Sequence, residues 1–351
     1  MMDNWLTSAG DQAAVLVTVA IVEGSGPREA GAKMLVSADR LFDTIGGGHL
    51  EMRAIEVARG MLAGDAAPAR IERFALGPSL GQCCGGVVHL AFERVDAGLL
   101  AVLDALRQRR QEDSWRVSAI DGAAASALFD AAGKTITGAD LVVPSAFARE
   151  RAAHVLRDEA GRRWLVDPCL APRAHLTLFG AGHVGAAIVR ALAELPCNVT
   201  WVDEREDMFP ATVPGNVRIE ASDTPEALVG EAPAGGSFLV MTHSHALDQR
   251  LTEAIMARAD VGWFGLIGSQ TKRKQFEHRL RARGVAAERI DAMVCPIGMP
   301  GITNKAPAVI AIAVAAQLIT VWEAAAAASG TTAPLRLVAS GGASKATHQY
   351  K

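Results

Sequence analysis

A chain of 351 residues is long enough for two domains with separate hydrophobic cores. Hydrophobic residues make up 50% of it, charged residues 21%, and the formal net charge is −3, which is the profile of a globular, soluble class of sequence. That balance provides no basic field for nucleic acid, and no nucleic-acid-binding signature accompanies it.

The opening residues, M-M-D-N-W-L-T-S-A-G-D-Q, lack a cationic stretch followed by an apolar core. They do not read as a signal peptide, so cytoplasm is the expected location. Five cysteines, an odd number, argue against a disulfide framework in such a compartment. They are either buried small hydrophobes or chemically used thiols.

Ala13 to Val22 is rich in β-branched residues and predicts a strand, followed by the turn Glu23-Gly24-Ser25-Gly26-Pro27-Arg28. Lys33 to Ser37 and Leu41 to Ile45 predict a hairpin around Ala38-Asp39-Arg40. Gly46-Gly47-Gly48 then runs into His49-Leu50-Glu51 and a helical periodicity that lasts to about Leu62. Glycines leading straight into a helix make either an anion seat or a flexible corner.

Ile71 to Leu76 alternates polar and apolar residues as a half-buried strand does, and Val87 to Phe92 resumes as strand. Between them lies Gly77-Pro78-Ser79-Leu80-Gly81-Gln82-Cys83-Cys84-Gly85-Gly86. Adjacent cysteines are badly placed for a relaxed mutual disulfide and lack the spacing of a structural zinc site. Such a loop is either a packed glycine loop with two inert thiols or a place where a thiolate meets a soft metal or carries sulfur.

Ala97 to Arg109 predicts a helix, the stretches from Ser114 and from Ala125 strands, Ala146 to Leu156 a helix, and Arg163 to Val166 a strand. The prolines of Asp167-Pro168-Cys169-Leu170-Ala171-Pro172 read as a linker. The expected division is a mixed α/β N-terminal domain over 1–167 and a Rossmann-like, doubly wound parallel-sheet domain over 173–323. A mobile tail rich in small residues is expected over 324–351.

The C-terminal half opens on strand, glycine turn, helix and strand from His175 to Asp203. Gly180 permits a tight turn, Gly182 lets a phosphate approach the backbone, and Gly185 lets the helix pack on the strand. Asp203 ends the second strand at about the 20-residue distance where an acidic side chain meets a ribose hydroxyl. Ser237 to Thr242 is a near-continuous apolar strand ending at Thr242-His243-Ser244-His245-Ala246-Leu247-Asp248, where ligands bind in open α/β sheets. His243, His245 and Asp248 have the spacing of a metal site, and equally of helix-capping and cleft-lining residues. Ser269 reads as the N-cap of a helix carrying Lys272, Arg273 and Lys274 in its first turns. Cations there oppose the helix dipole and call for a nearby anion or a solvated face. Ala306 to Trp322 approaches membrane-spanning length, but Gln317, Thr320 and Pro307 favour a buried helix of the α/β domain.

Taken together, G-S-G-P-R, I-G-G-G-H-L-E, L-G-P with Q-C-C-G-G, F-G-A-G-H-V-G, T-H-S-H-A-L-D, G-L-I-G-S-Q-T-K-R and C-P-I-G resemble the XdhC/CoxI family of xanthine dehydrogenase accessory proteins. The resemblance implies a molybdenum cofactor chaperone, not itself an enzyme or a subunit of the mature dehydrogenase. Such a protein holds the molybdopterin cofactor while a cysteine desulfurase helps install its sulfido ligand. It then delivers the cofactor to the xanthine dehydrogenase catalytic subunit, with a molybdopterin nucleotidyltransferase as a further partner and a homodimer as the expected assembly. The residues so marked as cofactor-binding are Gln82, Cys83, Cys84, Gly46, Gly47, Gly48, His49, Gly180, Gly182, Gly185, Asp203 and His243, with Cys83 or Cys84 toward the molybdenum. Two other classes remain: an NAD(P)-dependent oxidoreductase built on Gly180, Gly182, Gly185 and Asp203, and a protein-binding scaffold.

Overall fold

The computed structural model describes residues 4–64, 67–77, 85–141 and 147–328, which form two compact units dividing between Ala171 and Pro172. The N-terminal unit opens with α1 (Asn4–Thr7), β1 (Ala14–Glu23), β2 (Lys33–Ser37), β3 (Leu41–Asp43) and α2 (Gly48–Ala63), followed by β4 (Ala69–Ala75), β5 (Val87–Arg94) and α3 (Ala97–Gln108). Its first sheet is antiparallel in the order β3-β2-β1-β5-β4. The two-residue period of β1 sends Val15, Val17 and Val19 toward Leu50, Ala54 and Ala58 of α2, and Leu16 toward Leu99, Val102 and Leu103 of α3.

A second antiparallel sheet follows, made of β6 (Ser114–Ala119), β7 (Ser126–Phe129), β8 (Thr135–Gly138), β9 (His154–Arg157) and β10 (Arg163–Cys169), in the order β8-β7-β6-β10-β9. Two expectations fail here. The helix predicted for Ala146 to Leu156 is absent among the described residues, because Val155 and Leu156 pair with Leu165 and Trp164 as a sheet edge. Tertiary pairing overrides the local helix propensity of that stretch. The predicted linker is also partly strand: Asp167, Pro168 and Cys169 finish β10, opposite Arg116, Trp115 and Ser114.

The two sheets meet where Ala20 and Ala91 of the first pack with Ile120 and Leu165 of the second. Within that layer lie four charged side chains, Lys33 and Glu93 from the first sheet and Arg116 and Asp167 from the second. The Arg116 Nη1 donates to both Glu93 oxygens at 2.8 Å, its Nε donates to Asp167 at 3.0 Å, and Lys33 Nζ lies 2.8 Å from the other Asp167 oxygen. Arg116 and Asp167 are fully buried. Burial alone would push the Lys33 ammonium down; Asp167 beside it outweighs that and holds its pKa raised.

The C-terminal unit comprises β11 (Ala174–Phe179), α4 (His183–Ala191), β12 (Cys197–Asp203), β13 (Val217–Ala221), α5 (Pro225–Glu231) and β14 (Ser237–Val240), then α6 (His245–Ala257), β15 (Trp263–Leu266), α7 (Gln270–Ala282), α8 (Ala287–Asp291) and α9 (Pro307–Ala328). Its sheet is wholly parallel, in the order β13-β12-β11-β14-β15. Val294 bridges Gly265 in parallel beyond β15, at the sixth position of a Rossmann sheet. Leu176 and Leu178 face Ile188 of α4 and Val314 and Leu318 of α9, while Phe179, Val240 and Leu266 face Leu251 of α6 and Phe276 of α7. The unit is therefore doubly wound, with helices on both faces of the sheet.

Among the described residues α9 is the one helix long and apolar enough to cross a membrane, and Ala311, Val314, Ala315 and Leu318 place one of its faces in this core. The helix continues through Ala328, so the first residues of the predicted tail are helical; 329–351 lie outside the described residues.

Removing the arginine of the buried quartet strands Glu93 without a cation and leaves Asp167 with Lys33 alone. Arg116→Ala is expected to destabilise the N-terminal unit by about 3–5 kcal/mol. Urea unfolding read by amide exchange of β6 and β10 checks this, and an unchanged transition would contradict it.

Candidate functional site

The glycine turn after β11 uses each of its three glycines differently. Gly180 has φ +121°, and a Cβ on it would lie 2.5 Å from the Met241 carbonyl oxygen. A Cβ on Gly185 would lie 2.1 Å from the Gly180 oxygen, which also accepts from Trp201 Nε1 at 3.0 Å. Both positions are closed to any other residue by backbone. Gly182 is the contrast, since a Cβ there meets nothing within 4 Å. It is the N-cap of α4 and carries no side chain to satisfy the first helical amides.

Asp203, expected to meet a ribose, is already occupied. Its Oδ2 accepts from Ala181 N at 2.7 Å and Arg205 Nη2 at 3.0 Å, and its Oδ1 from Arg205 N at 3.0 Å and Nε at 2.9 Å. The carboxylate ties the end of β12 to the turn and is only 6% exposed. Burial would raise its pKa, but the hydrogen bonds from Arg205 and Ala181 and the guanidinium charge outweigh this, so the carboxyl sits below the usual range.

Asp203 and His243 line one cleft with Glu204 and Thr242 at the carboxyl ends of β12 and β14. Asp248 turns away from any metal role. Its Oδ1 accepts from Thr242 N and Oγ1 at 3.1 and 2.7 Å, and its Oδ2 from Lys272 Nζ at 2.6 Å. No group of three or more metal-ligating side chains occurs among the described residues. The anion that the cations of α7 called for is thus internal: Asp248 for Lys272, Glu277 for Arg273. Gly268 makes room for this, since a Cβ on it would lie 2.6 Å from the Lys272 stem. Ser244 and Ser269 cap α6 and α7 by accepting from Leu247 N and Lys272 N.

In the N-terminal unit three separate stretches come together at one corner. A Cβ on Gly86 would lie 2.3 Å from the Ser25 oxygen, and one on Gly46 would lie 2.6 Å from Pro27. Arg28 Nη1 donates to the Thr44 oxygen at 3.4 Å. Leu76 N donates to Gly86 O at 2.8 Å, and Gln82, Cys83 and Cys84 fall between these two in the sequence. Those three residues lie outside the described ones.

Gly46, Gly47 and Gly48 all have positive φ and turn the chain into α2. Their anion is Glu51, whose Oε2 accepts from Ile45 N and Gly47 N at 3.1 Å each and from the Thr44 hydroxyl. His49 is exposed beside it. Glu51 reaches back to the N-cap amide of Gly47 as the acidic residue of a capping box does, but one position later and without an N-cap side chain to complete the box. A second anion at this corner competes with Glu51 for the same amides.

Two of the remaining thiols are poor nucleophiles or ligands. Burial pushes Cys197 up to about 11, and it raises Cys295 despite Lys272 and Arg273 nearby.

These features define a two-unit α/β protein with a Rossmann domain whose glycine turn stands open at one position. Comparison with known families matches residues 176–318 to the XdhC Rossmann domain and residues 8–75 to the XdhC and CoxI family. The chain belongs to the XdhC and CoxI family. The uncharacterized protein YqeB of Escherichia coli (strain K12) is 29% identical over 150 residues, which cover 42% of this chain and 27% of that protein. The chain therefore matches about a quarter of the length of that curated relative. A crystal structure described as a xanthine dehydrogenase (BH1974) from Bacillus halodurans superposes with a TM-score of 0.73 at 22% identity, covering 94% of this chain and 98% of that one. At this identity the likeness is one of fold.

Two outcomes follow from the geometry. Gly185→Ala is expected to unfold or strongly destabilise the C-terminal unit, whereas Gly182→Ala leaves its melting temperature essentially unchanged; thermal melts of both variants decide this. Asp203→Asn should lower stability by about 2 kcal/mol near neutrality. Because the Asp203 pKa is depressed by folding, the contribution is present above the unfolded value near ~3.9 and is lost as pH falls through the folded value. Melts across that pH window should show the difference from the unsubstituted protein shrinking in acid.

Proposed function

We propose that this protein is a maturation factor for xanthine dehydrogenase that binds the molybdenum cofactor, holds it during sulfuration and hands it to the catalytic subunit. The observation that favours this over a nicotinamide-dependent oxidoreductase is the state of Asp203. With four donors already on its oxygens, the carboxylate serves the turn and has little capacity left for a ribose diol. A phosphate needs only the open amides behind Gly182, so the turn fits the phosphate end of a molybdopterin without requiring an adenosine.

In this reading the α4 amides bind the phosphate, and Thr242 and His243, at the carboxyl end of β14, belong to the same end of the sheet. The resemblance of the Q-C-C-G-G and G-G-G-H stretches assigns the contact with the molybdenum or its sulfur to Cys83 or Cys84 and counts Gln82 and His49 among the cofactor-binding residues. When bound, the cofactor supplies the metal and dithiolene on which the sulfido ligand is installed. The chain's own groups grip, orient and exclude water. A cysteine desulfurase, a molybdopterin nucleotidyltransferase and the dehydrogenase catalytic subunit are the partners this reading calls for, with a cytoplasmic homodimer as the working assembly.

Co-expression with a molybdopterin source, anaerobic purification and oxidation to the fluorescent pterin tests the proposal. The unsubstituted protein is expected to carry pterin and molybdenum, and Gly182→Ala to lose roughly tenfold or more of the pterin while still folded. Either Cys83→Ala or Cys84→Ala should reduce cofactor retention or sulfuration. Protein that emerges with neither metal nor pterin and acquires none when offered it overturns the reading. Tight NAD(H) or NADP(H) binding with turnover would replace it with the oxidoreductase.

A further inference from the structure

The outer face of α7 is charged out of proportion to the rest of the chain. The helix carries Lys272, Arg273, Lys274, Arg279 and Arg281 against one carboxylate, Glu277. By contrast, α2 sets Glu51 and Glu56 against Arg53 and Arg59, and α3 sets Asp104 against Arg107. With a formal net charge of −3 on the whole chain and +4 on α7, the remainder stands at −7.

Burial of Phe276 and Leu280, one turn apart, fixes which side of this helix faces the core. Lys274, His278 and Arg281 follow the i, i+4, i+7 spacing of the opposite side and are exposed, with Arg279 exposed beside them. Internal carboxylates account for part of the charge: Asp248 holds Lys272, Glu277 holds Arg273 at 2.7 Å, and Glu253 holds Arg283 just past the last turn. The outward cations differ. Lys274 and Arg279 make no ion pair among the described residues, and Arg281 reaches only Glu277, 3.5 Å away and already engaged by Arg273.

Such a row is unfavourable for the helix by itself, since Lys274 near its start opposes the macrodipole and Arg279 lies one turn from Arg283. Carboxylates brought from outside relieve both. The stripe from Lys274 to Arg281 runs about 10 Å at the helical rise, close to the screening length of about 8 Å at physiological ionic strength. It therefore attracts a compact acidic patch, whereas a long polyanion or an anionic membrane extends past the stripe over the net negative remainder of the chain. We infer that the outer face of α7 is a docking surface for a protein partner that presents a short row of carboxylates to Lys274, Arg279 and Arg281. The inference does not rest on the cofactor reading.

The probe is a fluorescently labelled helical peptide with glutamates at i, i+4 and i+7 on one face, titrated with the full chain by anisotropy at low and at physiological salt. The same peptide with glutamine for glutamate, duplex DNA and phosphatidylglycerol vesicles serve as comparisons. The glutamate peptide is expected to bind saturably and more weakly as salt rises, with the three comparisons weaker by roughly tenfold or more. Lys274→Glu combined with Arg281→Glu should weaken the glutamate peptide by roughly tenfold or more without changing the melting curve, and a peptide with lysines at the same positions should bind this variant instead. Lys274→Gln with Arg281→Gln gives the same reading should the reversed variant fold poorly, and Arg53→Glu on the balanced surface of α2 should bind as the unsubstituted chain does. The inference is overturned by absent binding of the glutamate peptide, by any comparison binding as tightly, by a folded α7 variant that binds undiminished, or by an equal loss in Arg53→Glu. None of these measurements needs the cofactor, so their outcome is separable from that of the pterin measurement.

Discussion

The hydrogen bond from Ala181 N to Asp203 at 2.7 Å sets what the C-terminal unit can do. It draws the end of β12 against the glycine turn, and Arg205 closes the other side of the same carboxylate with a two-pronged contact. The turn is thereby held rigid before any ligand arrives, which limits the ordering that binding must impose. The arrangement also consumes the acidic group that a dinucleotide site would direct at a ribose. On the proposed function, a Rossmann turn braced in this way keeps the anion-binding half of its usual role and gives up much of the sugar-reading half.

The same logic recurs elsewhere in the chain. Glu51 occupies the amides of Ile45 and Gly47, and Asp248 neutralises Lys272. Each time, a place whose sequence signals an anion turns out to contain a carboxylate from within a few residues or from the neighbouring motif. The T-H-S-H-A-L-D and G-S-Q-T-K-R stretches are coupled for this reason, as the Asp248 to Lys272 contact fastens the ends of β14 and β15 together. Gly182 differs from all of these in having no internal side chain directed to it, and that is the physical ground for treating it as the ligand position.

The regular parts of the fold were legible because their signals are local. The β-branched run of β1, the hairpin of β2 and β3, the glycine-to-helix junctions and the serine caps of α6 and α7 each depend on residues within one turn or one strand. What escaped the sequence depends on distant pairing. Arg116 sits in an alternating W-R-V-S-A stretch where a charged residue signals a solvent face, yet all of β6 is buried because a second sheet covers it. Asp167 next to Pro168 reads as linker for the same reason: only its partner Arg116, some fifty positions away, identifies it as core. The occupation of Asp203 was hidden in a similar way, since an arginine two residues downstream carries no pattern until the strand end brings Ala181 into range.

Burial also decides what the thiols of the C-terminal unit can do. A sulfur that is to meet a soft metal or carry a sulfur atom must be accessible as thiolate, and burial acts against that for Cys197 and Cys295. The C-terminal unit thus offers open backbone amides without a usable thiol among the residues described. The glycine corner of the N-terminal unit differs, because its nearest amides, those of Ile45 and Gly47, are already filled by Glu51.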